Sequence, residues 1–78
     1  MLTAGEVLDA YFLETRCMLV EIAATLDRLD RAAEAGMGGV PMDDPRLDRI
    51  YRSLAILADR TTSPDRVERL LNLFSDRD

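Results

Sequence analysis

The side chains with chemistry to offer gather on one stretch: Glu14, Arg16, Cys17 and Glu21, with Arg28 one heptad further on. Glu14 and Glu21 are seven residues apart, two helical turns, so on a helix they share one flank. Carboxylates in that arrangement have two uses. They can give oxygen ligands to a hard cation such as Mg²⁺ or Ca²⁺, or they can pair with guanidinium groups. Di-iron helical bundles combine Glu on two helices with Glu-x-x-His on two others. This chain has no His and no such motif. A metal role would therefore need an all-carboxylate site, or a small-ligand site, completed at a subunit interface by Glu14 and Glu21. The simpler expectation is a salt bridge from these acids to Arg16 or Arg28, in the same chain or a partner, with no metal and no cofactor.

Cys17 is the single cysteine, so no intrachain disulfide is possible, and one Cys with zero His cannot supply the four ligands of a structural zinc. A nucleophilic thiol needs a base, and the Cys-His and Ser-His-Asp arrangements both lack their His. Paired-carboxylate hydrolysis is left in principle, but a thin helical hairpin offers no cleft for a substrate. Catalysis is not expected. Cys17 reads as a small buried hydrophobe, and Tyr11 and Tyr51 as core residues with their hydroxyls at its edge.

The basic residues are all Arg, ten of them against fifteen acids, giving a net charge of −5. That balance argues against binding phosphate backbones, so no nucleic-acid partner is expected. The absence of Lys suits a GC-rich genome, such as a bacterial one. Arg46, Arg49 and Arg52 could form a patch for an anion, but nearly every Arg has an acid in reach. Asp27 with Arg31, Asp48 with Arg52 and Asp65 with Arg69 stand at the favourable acid-before-base spacing of four. These read as a solvated face. Gly36-Met37-Gly38-Gly39 is no phosphate loop, because it would follow a helix C-terminus, where carbonyls point outward. It reads as a cap and hinge.

The elements that must carry these residues are legible from caps and periodicity. Thr3 with Glu6 forms a capping box, no Pro or Gly follows that box before Gly36, and Gly36 suits a left-handed stop. The first helix is expected over about 4–35, a rod of roughly 48 Å. Its main apolar stripe is Leu8, Tyr11, Phe12, Thr15, Met18, Leu19, Ile22, Leu26, Leu29 and Ala33. A second stripe of mostly small residues lies on another side: Ala10, Leu13, Cys17, Val20 and Ala24. Residues 36–44 form a loop. A second helix follows over about 45–59, capped by Asp44 with Pro45 at its first position, and turning Leu47, Ile50, Tyr51, Leu54, Leu57 and Ala58 inward. A third helix runs over about 64–75, with Ser63 as cap, Pro64 first, and Val67, Leu70, Leu71 and Phe74 inward.

The fold expected is all-α, a single helical domain over 1–78: the long helix packed antiparallel against the two shorter ones. Two apolar faces on one helix imply two neighbours. The hairpin covers the first, and a symmetric homodimer, or a partner protein's helix, covers the second along Ala10, Leu13, Cys17, Val20 and Ala24. The function this implies is a small, non-catalytic interaction or scaffolding module. No stretch approaches the ~20 apolar residues of a membrane span, and the first residues do not resemble a secretory leader, so a cytoplasmic location is expected.

Overall fold

A computed structural model describes residues 1–36, 44–61 and 63–75. The described residues form three helices and no strand: α1 over Ala4–Glu34, α2 over Pro45–Ala58 and α3 over Arg66–Ser75. None of them is long and apolar enough to cross a membrane. The chain divides into two units, one built on α1 and the other on α2 and α3.

α1 starts where its cap dictates. The Thr3 hydroxyl accepts from the Glu6 N–H at 3.1 Å, and the Thr3 N–H donates to the Glu6 carboxylate at 3.0 Å. Two donors of the first turn are thereby satisfied. That backbone hydrogen bond, followed by the one to the Thr3 side chain, holds the Glu6 carboxyl below its ordinary range. The helix ends at Glu34. The Ala35 N–H still reaches Arg31 at 2.9 Å, while Gly36 turns left-handed at φ 67° and donates to Ala33 at 3.2 Å. A side chain at Gly36 would meet open space, so its requirement for glycine is conformational and not steric.

α2 also begins as its sequence requires. The Asp44 carboxylate accepts from the Arg46 N–H at 2.8 Å, with Pro45 at the first helical position. The Arg46 guanidinium adds contacts of 3.2 and 3.1 Å to the same carboxylate. Those side-chain bonds, then the backbone bond, hold the Asp44 carboxyl below its usual range. α2 closes at Ala58, one residue short of expectation. Asp59 turns extended, and its carboxylate accepts from the Thr61 N–H at 2.9 Å and the Thr61 hydroxyl at 2.7 Å. This local turn competes with another helical residue and wins, because it supplies an acceptor for donors the helix would leave unpaired.

The start of α3 differs from the sequence expectation by two residues. Ser63 is not the cap and Pro64 is not helical. The Ser63 carbonyl takes the Asp65 N–H at 2.7 Å, and the first helical hydrogen bond runs from the Arg69 N–H to the Asp65 carbonyl at 3.0 Å. Asp65 therefore occupies the cap position. The Arg66 guanidinium reaches back to the Asp59 carbonyl at 2.9 Å, tying the start of α3 to the end of α2. The glycine-rich segment after Gly36 and the three C-terminal residues lie outside the described residues.

α2 and α3 pack against each other, but not along the faces with the most apolar residues. Among the described residues, Ser53 and Leu73 are the buried ones, at 8 % and 6 % exposure. Arg49, Ile50 and Ile56 on α2, and Arg66, Arg69 and Leu70 on α3, are half-buried around them. Of the residues expected inside, Leu47, Ile50, Leu54 and Leu70 are half-buried, whereas Tyr51, Leu57, Ala58, Val67, Leu71 and Phe74 are exposed. At 100° per residue, each helix's contact line sits about a quarter turn from the middle of its apolar arc. Ser53 makes this possible. It is small, and its hydroxyl is satisfied by the Arg49 carbonyl at 2.7 Å, so burying it leaves no unpaired polar group.

Candidate functional site

α1 is a rod of about 46 Å that displays its side chains and hides none of them. Within its own unit, α1 leaves both apolar stripes largely exposed. On the larger stripe Leu8, Tyr11, Phe12, Met18 and Leu19 are exposed, and Ile22, Leu26 and Leu29 are half-buried. On the second stripe, Leu13 is 66 % exposed and Val20 60 %; Ala10 and Cys17 are exposed and Ala24 is half-buried. At 100° per residue the two stripes run along opposite sides of the helix.

Leu13, Arg16, Cys17, Val20 and Glu21 line a shallow, open depression at the middle of the second stripe. Cys17 lies between Leu13 and Val20 along the strip. Arg16 stands at one margin. Glu14 and Glu21 stand at the other, with Arg28 a heptad beyond. The expected salt bridges are not made within one copy: among the described residues, Glu14, Arg16, Glu21 and Arg28 have no ion pair. Glu14 and Glu21 are about 10 Å apart along the axis. Oxygens that share one cation lie within about 5 Å of each other, so a metal site here requires carboxylates from another copy. Among the described residues no three His, Cys, Asp or Glu side chains form a cluster that could hold a metal ion.

The charged pairs on α2 follow the sequence spacing in part. Arg52 and Asp48 meet at 3.7 Å, both well exposed, which contributes little in water. Arg46, a candidate for an anion patch, is instead committed to Asp44 at 3.1 Å. Arg49 and Arg69 have interactions of their own, so they form no free cationic surface.

Periodicity did not single out Ser53, Ile56 or Leu73, because it reads the most apolar arc and these lie beside it. Nor did any spacing rule point to Arg66 and Asp59, which meet across a turn. The five interface candidates on α1 do come together as one continuous strip. Comparison with family models, with curated proteins and with solved structures finds no match to this chain.

Proposed function

We propose that the chain is a small, non-catalytic protein–protein interaction module that self-associates through α1. The observation carrying this reading is the mismatch between apolar surface and core. Leu73 is the one buried apolar side chain among the described residues, whereas α1 has large apolar residues exposed along its length. A stretch the size of the α2–α3 unit, under about 40 residues, rarely folds without outside support. An isolated amphipathic helix likewise draws most of its stability from something it packs on.

The exposed arcs suit a helical hairpin. On α2 and α3 alike, the apolar arc is displaced from the contact line in the same rotational sense. An antiparallel return of α3 therefore brings both arcs to one side, with Tyr51, Leu54, Val67, Leu71 and Phe74 forming a single face. In this reading the larger stripe of α1 packs antiparallel on that face. The second stripe, Ala10, Leu13, Cys17, Val20 and Ala24, stays outward and meets another copy, completing a larger bundle. Glu14, Arg16, Glu21 and Arg28, without an ion pair among the described residues of one copy, then find partners at the margins of the interface. A cytoplasmic, bacterial setting belongs to the same proposal and rests on composition alone.

Light scattering after size exclusion at micromolar concentration tests the proposal. A dimer is expected, and Leu13→Glu or Val20→Arg should convert it to a monomer that stays largely helical. A wild-type chain that remains monomeric up to about 100 µM would sink the reading.

A further inference from the structure

We draw no further inference here: the strongest candidate, the apolar surface patch that α1 exposes along Leu8, Tyr11, Phe12, Met18 and Leu19, carries nothing further because nothing in the structure shows what covers it.

Discussion

Leu13 offers the sharpest measurement of how much the α1 strip contributes. Its side chain is 66 % exposed in one copy, so about two-thirds of a leucine's surface is available to a partner. Burying a whole leucine side chain is worth about 1.5–3 kcal/mol, and truncation to Ala retains the first carbon. Each copy then loses about 1–1.5 kcal/mol of association energy. Symmetry doubles the loss, to about 2–3 kcal/mol, because one substitution changes both sides of the interface. Leu13→Ala should therefore raise the dimer dissociation constant about 30- to 150-fold. Alanine is at least as good a helix former as leucine, so helicity should not fall through α1's own propensity. Sedimentation velocity from nanomolar to high-micromolar concentration reads the constant, and far-ultraviolet circular dichroism confirms the helix. Leu2→Ala is the control: Leu2 is 55 % exposed, but it precedes the Thr3 cap and belongs to neither stripe. Its dissociation constant should stay within about threefold of the wild type. If Leu13→Ala leaves the constant unchanged, or Leu2→Ala shifts it as much, apolar burial on this face is not what joins the copies.

Three other expectations follow from local features. Leu73→Ala removes the one buried apolar side chain among the described residues and should cost about 2–3 kcal/mol, seen as loss of α2–α3 helicity at lower urea; an effect under 0.5 kcal/mol would contradict its burial. Gly36→Ala forces a left-handed backbone on an L-residue and should fray the end of α1 by about 1 kcal/mol, visible as faster amide exchange in the last turn. The carboxyls of Glu6, Asp44 and Asp59 are all held below their ordinary ranges: Glu6 by the Thr3 N–H, Asp44 by the Arg46 side chain, Asp59 by the Thr61 hydroxyl. The unfolded chain then binds protons more readily than the folded one. The stability these groups contribute is complete above about pH 5 and is lost as the pH falls through their depressed values. Helicity should drop on acidification below about pH 4, and Glu6→Gln should remove the share due to α1; a profile flat down to pH 2 would refute the assignment.

The helices and most of their ends were legible from the sequence, because caps are local. Thr3 with Glu6, Asp44 with Pro45, and Gly36 each act within a few residues of themselves, and the structure realises all three. The start of α3 was not legible. Ser63 and Asp65 both have cap chemistry, and the choice between them depended on the Ser63 carbonyl capturing the Asp65 N–H and on Arg66 reaching back to Asp59. The second stripe of α1 was readable as a pattern, since period alone places Ala10, Leu13, Cys17, Val20 and Ala24 on one side. Which arc of α2 meets α3 was not. Periodicity identifies the greasiest face of a helix, but a neighbour chooses the face that lets two backbones approach. Tertiary structure turned the small, internally bonded Ser53 and the off-stripe Leu73 toward each other's helices and left Tyr51, Leu71 and Phe74 outside. The physical reason is that hydrophobic burial has no direction of its own, while close packing depends on shape, and shape belongs to two helices at once.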